Sequence, residues 1–109
     1  MDQEQAIDNF SALAQGTRLA IFRLLVRKEP LGLPVGEISR QLDIVPSTLS
    51  GHLGILRRSG LLKSTRRQRE IHYAVNLTAM GDLIGFLLED CCDGQVENCS
   101  EIISRTKKD

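Results

Sequence analysis

Residues 45–62, VPSTLSGHLGILRRSGLL, decide the fold of this chain of 109 residues. Pro46 suits the first position of a helix, where the missing N–H of proline costs nothing. Leu49, Leu53 and Leu56 recur at helical spacing and give the helix one apolar face. The other face is small and polar and then cationic: Ser47, Ser50, Gly51, Gly54 and Arg58.

Two glycines lie inside this predicted helix, and each lowers helix stability by about 1 kcal/mol relative to alanine. A helix that approaches another surface closely gains from glycine, and the DNA major groove is such a surface. The stretch therefore predicts a DNA recognition helix. The alternative is an ordinary surface helix of a small α-domain.

The residues before this stretch predict a second short helix. Pro34 opens it, and Val35, Ile38 and Leu42 share its apolar face. Residues 43–45 then form a three-residue turn into the Pro46 helix. Two short helices joined this tightly, the second with a polar outer face, are typical of a helix-turn-helix.

After Gly60 the apolar period changes from 3.6 to 2, which predicts a two-stranded hairpin. One strand runs from Leu62 to about Thr65, and the other covers residues 71–75 with alternating side chains. Residues 66–69, RRQR, form the predicted tip. A cationic hairpin directly after a recognition helix is expected to act as a wing that contacts phosphates or the minor groove. The alternative is a plain solvated turn.

Two further helices are predicted at the ends of the domain. Residues 2–14 carry an apolar face, Gly16 breaks that helix, and Thr17 is expected to cap the next one. Another helix runs from Leu77 to about Glu89. The two terminal helices bear more apolar surface than a winged core needs, so we expect a homodimer that pairs them. Two recognition helices about 34 Å apart would then read two half-sites of a palindrome.

Charge is segregated along the chain, although the formal net charge is zero. Residues 44–69 contain six cations and no acid, whereas residues 81–101 contain six acids and no base. The cationic block coincides with the predicted recognition helix and wing, as a nucleic-acid interface requires. No run is apolar enough to span a membrane and the N-terminus is not signal-like, so we expect a cytoplasmic protein. No catalytic constellation is recognisable, so we expect neither an enzyme nor a permanently bound cofactor.

Four segments resemble the arsenical-resistance-operon repressor (ArsR-type) family: residues 10–19 (FSALAQGTRL), 47–53 (STLSGHL), 59–62 (SGLL) and 72–73 (HY). The resemblance covers about residues 7–90 and implies a small dimeric winged helix-turn-helix metalloregulator. The sequence departs from the family where Gln15-Gly16 replaces the usual Asp-Pro. The family's Cys-Val-Cys ligand pair is replaced by residues 34–37, PVGE, and the zinc-binding Asp and His pattern of the C-terminal helix is missing. Any sensing site must therefore lie elsewhere.

Three cysteines within nine residues are the candidate sensing site: Cys91, Cys92 and Cys99. They resemble the C-terminal arsenite site of one branch of the family. Thiolates select thiophilic ions, and three sulfurs suit pyramidal As(III) or Sb(III), whereas tetrahedral zinc needs a fourth ligand such as Asp90 or Asp93. A continuous helix would separate Cys92 from Cys99 by roughly 10 Å. Either the chain turns back near Gly94, which we favour, or Cys99 comes from the other subunit.

The sequence thus predicts a mainly α fold with a small β-hairpin, a winged helix-turn-helix that dimerises through its N- and C-terminal helices. Residues 1–90 form the DNA-binding and dimerisation domain, and residues 91–109 form its cysteine-bearing effector tail. We expect Ser47, Thr48, Ser50 and Gly51 nearest the bases, with His52 at their edge. The phosphate-binding side chains are expected to be Arg57, Arg58, Arg66, Arg67 and Arg69.

The predicted function is an operator-binding repressor of an arsenic-resistance operon that is released when three thiolates bind As(III) or Sb(III). Three alternatives stay open. The first is a thiol-based redox or persulfide sensor, although the neighbouring acids disfavour thiolate formation. The second is a methylarsenite-selective repressor that uses two of the cysteines. The third is a metal-buffering or protein-interaction module, which would not bind DNA specifically.

Overall fold

The structure is a computed structural model that describes residues 1–89 and 100–106. It is mainly helical with one small antiparallel sheet, so the predicted α+β class is confirmed. In chain order the elements are α1 (Gln3–Leu13), α2 (Gly16–Arg27), β1 (Leu33–Pro34), α3 (Val35–Leu42), α4 (Pro46–Arg58), β2 (Leu62–Arg67), β3 (Glu70–Val75), α5 (Leu77–Leu88) and α6 (Ser100–Thr106). None of the described helices is long and apolar enough to cross a membrane.

A core of mostly aliphatic side chains joins helices α1 to α5 to the sheet. Its fully enclosed members include Ile21 and Leu25 of α2, Ile38 of α3, Leu61, and Val75 at the end of β3. The predicted apolar face of α4 supplies the other large ones: Leu49, Leu53 and Leu56. Because α4 packs on α1, α2, α3 and β2, its position is fixed from several directions.

The boundary between α1 and α2 differs from the prediction. Gly16 does not break the chain between two helices but is the first residue of α2, and Gln15 rather than Thr17 caps it. The side-chain oxygen of Gln15 accepts the backbone N–H of Arg18 at 2.9 Å. Glutamine therefore acts here as the N-cap residue, a position at which Ser, Thr, Asp and Asn are preferred.

The helix-turn-helix is formed as predicted by α3, residues 43–45 and α4. Asp43 ends α3 in the left-handed conformation, with φ of 54°. The hydroxyl of Ser39 donates to the carbonyl of Ile44, and the amide of Ile44 donates back to the carbonyl of Ser39 at 3.1 Å. These bonds close the turn and set the angle at which α4 leaves α3.

The sheet has three strands in the order β1-β3-β2, one more than the predicted hairpin. β1 consists only of Leu33 and Pro34, which pair with Tyr73 and His72 of β3. Gly32 makes this pairing possible, because its φ is +69° and a Cβ there would lie 2.0 Å from the carbonyl oxygen of Tyr73. The α2–α3 connection is thus tied to the base of the wing.

The predicted alternation of buried and exposed side chains along β3 holds only in part. Ile71 is 45% exposed, whereas the neighbours Ala74 and Val75 are both buried. The outer half of the strand projects with the hairpin, while its inner end packs on α2. One strand therefore passes from a solvated ribbon into the core, and a single periodic pattern does not describe it.

Candidate nucleic-acid interface

The outer face of α4 is narrow and solvent-accessible. Ser47, Thr48, Ser50 and Gly51 are all exposed, on the far side of the helix from the buried leucines. A Cβ added to Gly51 would meet no atom within 4 Å. The first two turns therefore present hydroxyls and bare backbone, which allow a close approach to base edges.

His52 lies apart from this face. It is partly buried, and its Nδ1 is 3.5 Å from Nη1 of Arg18 at the start of α2. A guanidinium only donates, so Nδ1 is the acceptor in this pairing. Arg18 in turn donates through Nε to the carbonyl of Ala12 at 2.7 Å. His52 thus stands at the junction of α4 with α2, and its predicted DNA contact remains a prediction.

The last turn of α4 carries Arg57 and Arg58, both exposed. Cations at this end are favoured by the helix dipole. The guanidinium of Arg58 folds back over Gly54, since a Cβ at Gly54 would lie 3.1 Å from its Nη1. Gly54 therefore makes room for an arginine of its own helix, which differs from the role of Gly51.

The turn of the wing hairpin is shorter than the predicted four-residue tip. The ladder continues to the pairs Arg66–Ile71 and Arg67–Glu70, and Gln68 adopts a φ of 57° in the two-residue turn it forms with Arg69. Successive strand residues point to opposite faces, so the Arg66 and Arg67 side chains leave the ribbon on opposite sides. The wing therefore offers cations on both faces and at its end.

The arginines of α4 and the wing differ from Arg40 of α3 in whether a carboxylate pairs with them. Arg40 binds Glu37 through two nitrogens, whereas no arginine of α4 or the wing pairs with a carboxylate among the described residues. Hydrogen bonds from Arg40 and then Gln41 lower the pKa of Glu37 to about 2. Glu37 thus stays ionised at neutral pH and holds Arg40. The arginines of α4 and the wing have no such partner in the part of the chain that the structure describes, which would leave them available to phosphates.

A second surface, on α1 and α5, is apolar. Ile7 and Phe10 of α1 are exposed, as are Ile84 and Leu87 of α5, of which Leu87 is 61% accessible. The two helices contact each other, so these side chains belong to adjoining helices. We call these four residues the α1/α5 apolar face.

The predicted metalloid ligands Cys91, Cys92 and Cys99 lie outside the described residues. Within residues 1–89 and 100–106, no group of three His, Cys, Asp or Glu side chains could hold a metal ion. Sequence reasoning missed Arg18 as a partner of His52, because residues 34 positions apart carry no periodic signal.

Comparison with known proteins agrees with this geometry. A family model described as a helix-turn-helix domain matches residues 13–65. The transcriptional activator HlyU of Vibrio cholerae is 34% identical over 83 residues, which cover 76% of this chain and 74% of HlyU. Its solved structure superposes with a TM-score of 0.66 at 31% identity and covers 84% of this chain and 99% of that one.

Two other solved structures share the architecture. The transcriptional repressor BigR of Xylella fastidiosa is 29% identical with a TM-score of 0.62, covering 82% of this chain and 88% of BigR. The homodimeric winged helix-turn-helix DNA-binding domain of Mb0332 from Mycobacterium bovis, described as a possible ArsR-family regulator, has a TM-score of 0.63 at 23% identity and covers 80% and 81% of the two chains. The predicted winged helix-turn-helix is confirmed, and the chain belongs to the ArsR-type family of winged helix-turn-helix transcriptional regulators.

Proposed function

We propose that this protein is a homodimeric repressor that binds a palindromic operator and leaves it when As(III) binds Cys91, Cys92 and Cys99. The observation that carries the DNA-binding half is the narrow, hydroxyl-bearing face of α4, flanked by arginines that pair with no carboxylate among the described residues. Similarity to HlyU and BigR, a named activator and a named repressor, supports transcriptional control. The metalloid half depends on the cysteine pattern of the sequence.

Operator binding divides between base contacts and phosphate contacts. The exposed hydroxyls of Ser47, Thr48 and Ser50 can donate to or accept from base edges, and Gly51 lets the backbone approach the groove. The arginines of the last turn of α4 and of the wing neutralise phosphates and set the register without reading sequence. The Arg66 and Arg67 side chains leave opposite faces of the wing, which suits a ribbon with phosphates on both sides.

Dimerisation through the α1/α5 apolar face would bury side chains that are otherwise exposed. Leu87→Glu is expected to raise the dimer dissociation constant by about 100-fold or more, because each subunit would bury an unpaired carboxylate. Sedimentation equilibrium measures the change, with Leu31→Glu as the control, since Leu31 is equally exposed but lies in the α2–β1 loop. A Leu87→Glu protein that is as dimeric as the wild type would contradict this interface.

Metalloid release needs no redox step. Arsenous acid and three thiols condense to one trithiolate complex and three molecules of water, and arsenic remains trivalent. Three As–S bonds then join the adjacent Cys91 and Cys92 to Cys99, which lies seven to eight positions further along the chain. Since these residues follow α5, the new link would alter the end of a helix that we assign to the dimer interface. A change in subunit angle there would shift the spacing between recognition helices and weaken DNA binding.

Arsenite is expected to release the wild-type protein from its operator, and Cys91→Ser, Cys92→Ser and Cys99→Ser are each expected to abolish release. Fluorescence anisotropy of the promoter of the chain's own operon measures both effects, under reducing conditions. Ser100→Ala is the control, because Ser100 adjoins Cys99 but carries no sulfur. Release that survives one substitution would favour a two-thiol methylarsenite site. Release by an oxidant without metalloid would favour the redox sensor, and absence of specific DNA binding would favour the metal-buffering module.

A further inference from the structure

An open cleft of about 390 Å³ lies where α1, the start of α2 and the end of α4 meet. It shares Arg58 with the last turn of α4 but does not include Ser47, Thr48, Ser50 or Gly51. Its volume falls within the range of small-molecule sites in proteins, roughly 300–1,000 Å³. Besides Ala12, the residues that line it are two arginines, two serines, one aspartate and one isoleucine: Arg18, Arg58, Ser11, Ser59, Asp8 and Ile55.

Arg18 is held in place within this cleft. Its Nε donates to the carbonyl of Ala12 at 2.7 Å, and its Nη1 lies 3.5 Å from His52. Asp8 lines the same cleft, yet no carboxylate of the described residues lies within ion-pair distance of Arg18. A partly buried guanidinium with a fixed orientation and no described counter-ion is already organised for an external anion, so little side-chain entropy is lost on binding.

The remaining groups define the class of ligand. Arg58 adds a second positive charge, while Asp8 can accept from an amine or hydroxyl of the ligand. The Ser11 hydroxyl can accept and donate, whereas the Ser59 hydroxyl donates to the carbonyl of Leu56 and can only accept from a ligand. Ile55 offers a small apolar wall. The net charge of the lining side chains is +1, from two arginines and one aspartate. This set suits a small organic anion with one carboxylate or phosphate and one nearby amine or hydroxyl group.

On α1 the cleft lies opposite Phe10, whereas Ile7 of the α1/α5 apolar face is one helical turn from Ser11, which lines the cleft. Phe10 is two residues from Asp8 and from Ala12, which places it on the opposite side of a helix with 3.6 residues per turn. A ligand in the cleft would therefore touch α1 and α4 without being covered by a partner that seats on Phe10. We propose that this cleft binds the oxyanion of a small organic molecule in the DNA-free protein.

Binding is tested by NMR on the full-length ¹⁵N-labelled protein without DNA, with O-phospho-L-serine and inorganic phosphate as probes at constant ionic strength. We expect saturable shifts of the Arg18 Nε–H and of the Ser11 and Ser59 amides, with phosphoserine binding more tightly than phosphate. Arg18→Gln and Arg58→Gln are each expected to weaken binding about tenfold, as the loss of a charge-assisted hydrogen bond does. Asp8→Asn is expected to remove the preference for phosphoserine.

Arg23→Gln is the matched control, since Arg23 is an exposed arginine of α2 that does not line the cleft. Should Arg18→Gln unfold, as judged by circular dichroism, Arg58→Gln provides the test, because Arg58 is exposed. Shifts that sodium chloride reproduces, or that centre on the wing and persist in both variants, would overturn the proposal and assign these cations to DNA phosphate. No DNA or metalloid is present, so the result is independent of the proposed function.

Discussion

Replacing Arg66, Arg67 and Arg69 together by glutamine is expected to lower operator affinity by about 1,000-fold near physiological salt. A wild-type dimer that neutralises about eight phosphates has a slope of log K against log salt near −7. If each wing contributes two or three of these contacts, the slope of the variant falls to between about −3.5 and −2. Anisotropy titrations at several salt concentrations measure the affinity and the slope.

The control for the wing variant removes the same charge elsewhere. Arg23, Arg27 and Lys28 lie at or near the end of α2 and are all exposed. Their joint replacement by glutamine is expected to change the slope of log K against log salt by less than the contribution of one phosphate contact. A wing variant that keeps the wild-type slope would show that the wing does not meet phosphates, and α4 alone would then carry the interface.

Gly32→Ala is expected to lower the free energy of unfolding by about 3 kcal/mol or more. The left-handed conformation alone disfavours alanine by roughly 1 kcal/mol, and relief of a backbone overlap adds about 1–3 kcal/mol. The overlap is severe, because the new Cβ would lie 2.0 Å from the carbonyl oxygen of Tyr73. Neither atom belongs to a flexible side chain, so β1 must move away from β3. Urea denaturation followed by circular dichroism measures the loss.

Gly36→Ala is the matched control for Gly32→Ala. Gly36 lies in the first turn of α3, and a Cβ there would meet no atom within 4 Å. Alanine is the better helix former, so this variant is expected to gain up to about 1 kcal/mol. If Gly32→Ala were as stable as the wild type, the approach of the α2–β1 loop to β3 would not be what fixes the base of the wing.

Helices α1 to α5 were predictable because each carries its signal within a few residues, whereas α6 was not predicted. The leucine spacing and Pro46 place α4 correctly, and its buried residues are the ones expected. β1 was not predictable, since two residues are too few for periodicity and their pairing with β3 depends on chain closure over about 40 residues. The Gln15 cap was missed for a different reason: glutamine has no strong preference for that position.

The residue types of the candidate interface were more predictable from the sequence than their arrangement in space. The run RRQR indicates a cationic hairpin, but pairing of Arg67 with Glu70 turns two of its residues into strand. Spacing puts His52 beside the apolar stripe of α4, yet only the fold brings Arg18 within reach of it. The prediction of three cysteine ligands depends on where the chain goes after α5, and spacing alone leaves that open.

The strand order β1-β3-β2 leaves two outer edges on the sheet. Unpaired edges are templates for adding a strand from another molecule, and proteins guard them with short strands, proline or positive side chains. Here β1 is only two residues long and contains Pro34, and β2 carries Lys63 together with Arg66 and Arg67. Mutual repulsion between copies of β2 therefore guards the free protein against edge-to-edge aggregation. Polyanions that neutralise the wing would remove this repulsion. The resistance of the free protein to aggregation and its binding to duplex DNA therefore depend on the same few positive charges.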